Sequence, residues 1–315
     1  MSNLDTCGIE VSAKELVVRL RRQGDLEPLR NFTNTPEGHL MILRYLRRAG
    51  RVVRVCMEST GLYGLDLALS GQEGIEVMVA NPRAVRHFAQ AMMQRSKNDQ
   101  IDAGVLEQFA VHMPFKPWPR PSVATLALHA LARRLRELVE MQTAEKNRQH
   151  AAGVSKAIPA VVRRDLARSL RAQERAIERL TRQARKLIAQ DPQLAERFEL
   201  LDSVPGIGET SAVQLLGELG VLAPDLEARQ WVAYAGLDPR QYTSGTSVHK
   251  KPRISKAGNK YLRHALFMPA LVAVMRKLLH ALHAMFKTHQ PYDGSKLFRL
   301  NADAAQEVTH VLVAS

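Results

Sequence analysis

Only two cysteines, Cys7 and Cys56, occur among the 315 residues. One optional bridge does not make a secreted disulfide framework, and both lie in apolar, strand-like runs, so a pair of buried thiols in a reducing compartment is expected. No apolar run reaches the ~18–20 residues that span a bilayer. The opening MSNLD also lacks the basic-then-apolar order of a secretory signal. A cytoplasmic location with no membrane partner is expected. Acid is scarce in one stretch: from 239 to 300, Asp293 stands against twelve Lys and Arg.

What is present is positive charge. The chain holds 45 Lys and Arg against 31 Asp and Glu, a net +14, with 45% hydrophobic and 24% charged residues. Such a composition excludes a disordered tail and suits a soluble globular protein of roughly two domains at ~100–200 residues each. The excess points to a polyanion, because a Lys/Arg surface gains affinity by releasing counterions condensed on nucleic acid. The charge is uneven: residues 1–119 carry +2, 120–200 carry +8, 201–238 carry −5 and 239–300 carry +11.

The first third alternates apolar and polar residues in TCGIEVS and ELVVRL, a β-hairpin pattern, with a third strand near Leu29–Thr33. Thr35 and Pro36 form a helix start, with Leu40, Leu43 and Leu46 as its apolar stripe and Gly50 as its end. The strand VVRVCME, a helix near Leu62–Leu69, the strand IEVMVAN and a helix opened by Pro82 follow. Late strands alternating with helices run parallel, and the order β-β-β-α-β-α-β-α fits a ribonuclease-H-like α/β domain. The predicted domains are 1–113, a Pro-rich linker at 114–122, a helical region at 123–198 and a mainly α C-terminal domain at 199–315. Four prolines around Trp118 set the linker, since they favour extended chain.

In the helical region, steps of three and four residues connect Arg163, Leu166, Leu170, Gln173, Ile177, Leu180, Ala184 and Leu187. This is a coiled-coil seam that either dimerises or closes an intramolecular hairpin with residues 126–150. Further on, Pro205-Gly206-Ile207-Gly208 breaks two apolar helical pieces and resembles a helix-hairpin-helix. A helix N-terminus there could hold phosphate through backbone N–H groups, or the segment could be a purely structural turn. His280, His283 and His289 lack the further ligands of a zinc site, and Leu279, Leu282 and Met285 mark an ordinary amphipathic helix.

Four acids are candidates for a shared site: Glu10 on the first strand, Glu58 ending VVRVCME, and Asp99 and Asp102 opening the helix IDAGVLEQF. The i, i+3 spacing puts the last two on one helical face. Hard carboxylate oxygens suit Mg²⁺ or Mn²⁺, and paired ions of this kind support phosphoryl transfer. Asp99 and Asp102 would equally serve as acids that complement a helix dipole. Asp5 lies on the opposite strand face and is no substitute for Glu10. In the basic stretch, Arg240, Lys250, Lys251, Arg253, Lys256, Lys260 and Arg263 surround Ser244, Ser247 and Ser255, three hydroxyls that the residues alone do not rank.

The segments GIEVSAKEL, MESTGLYG, NPRAVRHFAQA, SKNDQIDA, VPGIGETSA, YAGLDPRQYTSGTSVHKKPRISKAGNKYLRHAL and VMRKLLHALHA, in this order over nearly the whole chain, resemble the insertion sequence 110 family of DEDD transposases. The resemblance implies a RuvC-like N-terminal domain with Mg²⁺ on Glu10, Glu58, Asp99 and Asp102, a coiled-coil middle, and a C-terminal transposase domain. It makes Ser244 the nucleophile, with donor and target DNA, a guide non-coding RNA and a homo-oligomer, dimer or tetramer, as partners. In the family the two halves of a site come from different protomers. Independently of the resemblance, the local positive charge makes the seven basic residues candidates for binding nucleic-acid backbone, and the helix-hairpin-helix-like turn adds Gly206 and Gly208.

Two departures stand out. Glu10 replaces the family's usual Asp and sets the carboxylate further out by one methylene. About 30 residues common in relatives are missing where Ala273 runs into Val274, which suggests an internal deletion. A Holliday-junction-type nuclease and a degenerate copy that binds nucleic acid with impaired catalysis are the alternative functions.

Overall fold

The computed structural model describes residues 4–58, 63–71, 73–94, 96, 98–244, 248–267 and 272–294. It divides into two compact units, 1–120 and 121–315. The predicted linker belongs partly to the first unit: the Trp118 N–H donates to the Val77 carbonyl at 2.6 Å and its ring leans on that unit's core.

In the first unit, β1 (Asp5–Val11) and β2 (Glu15–Arg22) form the expected antiparallel hairpin. Ser12 closes the turn, its hydroxyl donating to the Glu15 carbonyl at 2.9 Å. The short β3 (Asp25–Leu26) and β4 (Arg30–Thr33) both lie along β2. The sequence pattern misses β3, because two residues cannot display an alternation. Beyond β1 lie β5 (Val53–Glu58) and β6 (Ile75–Ala80), each parallel to its neighbour. The resulting order is β3-β2-β1-β5-β6, with β4 also on β2.

The helix α1 (Pro36–Arg47) begins as predicted, with the Thr35 hydroxyl accepting the Gly38 N–H. Its buried side is Ile42, Leu43 and Leu46, whereas Leu40 is exposed, a correction to the predicted stripe. At ~100° per residue, His39, Ile42, Leu43 and Leu46 share one face and Leu40 falls roughly 110° off it, while buried Gly38 and His39 carry the packed face to the helix start. α2 (Leu65–Ser70) is shorter than expected, and its predicted start at Leu62 lies outside the described residues. Asn81 caps α3 (Pro82–Ala91), and Asn98 caps α4 (Asp99–His112).

Strand parity sorts β1 into two faces. Cys7, Ile9 and Val11 enter the core with α1, while Thr6, Gly8 and Glu10 face α4. Cys56, opposite Gly8 across the β1–β5 pair, packs with Leu106 and Phe109 of α4. The two cysteines thus point to opposite sides of the sheet and cannot pair. Burial raises both thiols, Cys56 to about 12, so each stays protonated and unreactive.

In the second unit, α5 (Val123–Val154) and α6 (Ala160–Gln190) form a long helical hairpin. The seam residues Leu170 and Ala184 are buried, and Ile177, Leu180 and Leu187 pack on the same core as Leu128, Ala132 and Leu135 of α5. The intramolecular alternative therefore accounts for the seam. Next come α7 (Pro192–Asp202), α8 (Glu209–Gly220), α9 (Ala228–Tyr234), the hairpin β7 (Pro239–Ser244) and β8 (Val248–Ile254), α10 (Lys260–Phe267) and α11 (Val272–Thr288). One core joins α5 and α6 to Leu215, Leu216, Trp231, Leu262 and Leu279, so the helical region and the C-terminal part fold around common apolar contacts. α11 runs through the junction after Ala273 and buries Met275, Leu279, Leu282 and Met285.

Candidate acidic cleft and basic hairpin

The parallel pairing of β1 and β5 reaches Ile9 beside Met57. Glu10 and Glu58, next in each strand, therefore end side by side, on strands spaced ~4.8 Å apart. Both are half-buried. α4 runs over this face so that Glu107 lies above Thr6, Ala103 above Gly8 and Asp102 toward Glu10. Glu10, Glu58 and Asp102 line one cleft of about 690 Å³, closed by Arg83 and Arg86 of α3 and by Leu106. Its position, at the carboxyl ends of parallel strands, is where open α/β sheets bind ligands.

Asp99 does not line the cleft. It is exposed as the first residue of α4, where the Asn98 side chain accepts the Ile101 N–H at 2.8 Å. Among the described residues, no three His, Cys, Asp or Glu side chains stand close enough to hold a metal ion together. The three cleft carboxylates nonetheless fit a hard divalent cation in donor chemistry and in their shared opening. Asp5 serves the other face: it accepts the Gln23 N–H at 3.0 Å and pairs with Arg51 at 3.3 Å.

Sequence reasoning missed what holds α4 in register. A Cβ on Gly8 would stand 2.1 Å from the Ala103 carbonyl oxygen and 2.3 Å from the Glu107 nitrogen, so only glycine admits this approach. One turn along, buried Glu107 accepts from the Thr6 hydroxyl at 2.7 Å and from Arg21 Nε at 2.8 Å. Arg83 and Arg86 were also missed. Their i, i+3 spacing directly after a strand end was the available signal.

In the second unit, Ser244 ends β7 opposite Val248, Arg240 pairs across to Arg253, and Tyr242 to Lys250, with an irregularity between Arg240 and Tyr242. Lys251 lies on β8, and Ser247 is outside the described residues. Ser255 is committed elsewhere: its hydroxyl donates to Asp238 Oδ1 at 2.6 Å. Lys256 is exposed with φ 51°, Lys260 opens α10, and Arg263 donates to the Ala235 carbonyl at 2.8 Å. The turn holding Gly206 (φ 90°) and Gly208 joins α7 to α8, and Glu209 at that helix start pairs with Arg185. An acid already occupies the N-terminal turn there.

Buried Glu218 of α8 accepts from Arg133 Nε at 3.0 Å and from Asn259 Nδ2 at 2.5 Å, and His129 stands 3.5 Å away. Burial works to raise this carboxyl, yet His129, Arg133 and Asn259 outweigh it and hold it at about 2. Asn259 also caps α10 through the Tyr261 and Leu262 N–H groups. Glu218 therefore ties α5 and α8 to the start of α10.

Comparison with known proteins places this architecture. Residues 7–152 match the model of the DEDD transposases of IS110 type, and residues 198–285 match the model described as the transposase IS116/IS110/IS902 family. A pilin gene-inverting protein of Moraxella bovis is 27% identical over 294 residues, covering 83% of this chain and 89% of the relative. The transposase for insertion sequence element IS1328 of Yersinia enterocolitica is 29% identical over 248 residues, 70% of this chain and 71% of the relative. A probable family 20 transposase of Pseudomonas aeruginosa is 34% identical over 111 residues, 35% and 31% of the two chains. With the acidic cleft inside one match and the basic hairpin inside the other, the chain belongs to the IS110 family of transposases.

Proposed function

We propose that this protein cleaves and exchanges DNA strands through a serine intermediate, with an acidic cleft of ribonuclease-H-like (RuvC-like) type as its metal site. The juxtaposition of Glu10, Glu58 and Asp102 in one cleft carries the proposal. The order β3-β2-β1-β5-β6, with β2 antiparallel to its parallel neighbours, supports the ribonuclease-H-like reading. Asp99, one helical turn before Asp102, is the fourth acid.

Glu10, Glu58 and Asp102 would hold a Mg²⁺ or Mn²⁺ ion, which when bound would supply Lewis-acid chemistry toward a phosphodiester. Arg83 and Arg86 hold the phosphodiester against the carboxylate wall by charge. The Ser244 hydroxyl attacks phosphorus, forming a Ser–O–P ester as one P–O bond to deoxyribose breaks. The serine proton passes to a cleft carboxylate, which hands it on to the departing deoxyribose oxygen. The new hydroxyl of the exchanged strand reverses these steps and frees the serine. Ser244 is chosen over Ser255 on the family resemblance alone; the Ser255 hydroxyl donates to Asp238 and accepts the Ala257 N–H. Arg240, Lys250, Lys251, Arg253, Lys256 and Lys260 bind the DNA backbone, Arg263 braces the loop behind them, and Gly206 and Gly208 shape a helix-hairpin-helix turn nearby. A guide RNA that selects donor and target, and an oligomer that pairs the cleft of one protomer with the serine of another, complete the proposal.

A relative named as inverting a pilin gene favours conservative exchange between two sites over simple cutting. The test uses a duplex carrying the element ends, with Mg²⁺ and the element's RNA. Wild-type protein forms a denaturant-resistant adduct with DNA, and Ser244→Ala forms none. Strand cleavage surviving in Ser244→Ala would replace this mechanism with a Holliday-junction-type nuclease. Binding without cleavage by the wild type would mark a degenerate copy, with the junction after Ala273 as the first suspect.

A further inference from the structure

Arg164, Arg168, Arg171, Arg175, Arg179 and Arg182, with Lys186 closing the run, are spaced 4-3-4-4-3-4 along α6. At ~100° per residue these side chains stay within a sector of about 80°, and at ~1.5 Å per residue the row is about 33 Å long. All seven are exposed, on the side opposite the buried seam of Leu170, Ala184 and Ile188. The acids of α6, Asp165, Glu174 and Glu178, fall outside the sector.

The row differs from its neighbours in being unanswered. On α5, Arg134, Arg136 and Arg148 pair with Glu137, Glu140 and Glu145 three or four residues away. Arg185, off the row, pairs with Glu209. None of the seven takes part in an ion pair among the described residues. Seven like charges on one narrow face repel one another and oppose helix formation. A polyanion laid along them removes that repulsion.

We propose that this face of α6 is a track for the sugar-phosphate backbone of duplex DNA, separate from the basic hairpin. It rests on the reading of the chain as a DNA recombinase. The row's length matches one turn of B-form DNA, ~34 Å, so both ends meet phosphates of one turn. Lys and Arg contacts to phosphate carry no sequence preference, which suits a surface gripping duplex of arbitrary sequence around a reaction site.

The test measures affinity of the full-length protein for a 40-bp duplex of arbitrary sequence by fluorescence anisotropy at several salt concentrations. Arg168→Gln/Arg175→Gln/Arg182→Gln removes three contacts and should lower the slope of log K against log salt by about 2.7, at ~0.9 per phosphate. Between 50 and 200 mM salt, the wild type then loses about 40-fold more affinity than the variant. The Lys triple at the same positions should keep the slope. Arg134→Gln/Lys146→Gln/Arg148→Gln, with the same change of net charge on α5, should also keep it. An unchanged slope in the Gln triple, an equal loss in the α5 triple, or a loss confined to a duplex RNA probe would each overturn the proposal. Ser244→Ala keeps the wild-type slope, so failure of the serine mechanism reads out separately, in the adduct assay.

Discussion

Gly8→Ala puts the link between fold and site to a direct test. The added methyl would lie 2.1 Å from the Ala103 oxygen, 2.3 Å from the Glu107 nitrogen and 2.9 Å from the Leu106 carbonyl carbon. Ordinary contact with such atoms needs ~3.4 Å, and all three are helix backbone, which cannot rotate aside as a side chain can. α4 must lift from β1 by roughly 1 Å, and overpacking of this kind typically costs about 1–3 kcal/mol. The lift acts between Thr6–Glu107 on one side and Glu10–Asp102 on the other, so it loosens a buried ion pair and widens the cleft together. A displacement near 1 Å in a catalytic constellation costs on the order of 10²-fold in rate. Gly8→Ala should therefore lower the melting temperature by several degrees and cut strand cleavage about 100-fold, with DNA affinity nearly unchanged because the basic hairpin and the arginine row of α6 lie in the other unit. A protein with wild-type melting and cleavage would refute the close approach of α4 and the coupling drawn from it.

Glu58→Gln keeps shape but removes a charge from the cleft, and should abolish cleavage while leaving the melting temperature within a degree or two; full activity would remove Glu58 from the site. Glu218, held at about 2 against an ordinary 4.5, adds stability above pH 4.5 that is lost as the pH falls toward 2, about 3 kcal/mol in all. Denaturant titrations followed through Trp231 in a Trp118→Phe background should show this acid loss in the parent and not in Glu218→Gln; parallel pH profiles would contradict it. Thr35→Ala should cost about 1 kcal/mol through loss of the cap on the Gly38 N–H, measured by denaturant titration followed through Trp118 in a Trp231→Phe background.

Much of the framework was legible because local rules were strong. Alternation marked β1 and β2, apolar runs marked β5 and β6, and Thr35-Pro36 and Pro82 marked the helix starts they do form. Leu40 misled because steps of three drift off the 3.6-residue period: the packed face runs through His39, Ile42, Leu43 and Leu46 and leaves Leu40 outside it. The seam of α6 was read correctly as apolar, but period alone cannot distinguish a partner chain from α5. Glu107 and Glu218 passed unnoticed, since a carboxylate bound for the interior looks in sequence like any surface acid until its Arg partner, 86 or 85 residues away, is known.

The sequence alone determined the identities and the parities: which residues alternate, that Thr6, Gly8 and Glu10 share a face, and that positive charge is concentrated beyond residue 120. Tertiary structure decided adjacency. β5 lies beside β1 and brings Glu58 next to Glu10, although 48 positions separate them, and α4 covers that face with Asp102 turned into the cleft and Asp99 left outside. It also set α6 on α5 by its apolar seam and so left the arginine row facing outward. Periodicity is written in each segment by its own backbone geometry, whereas pairing between distant segments depends on which faces fit together, and no single segment carries that information.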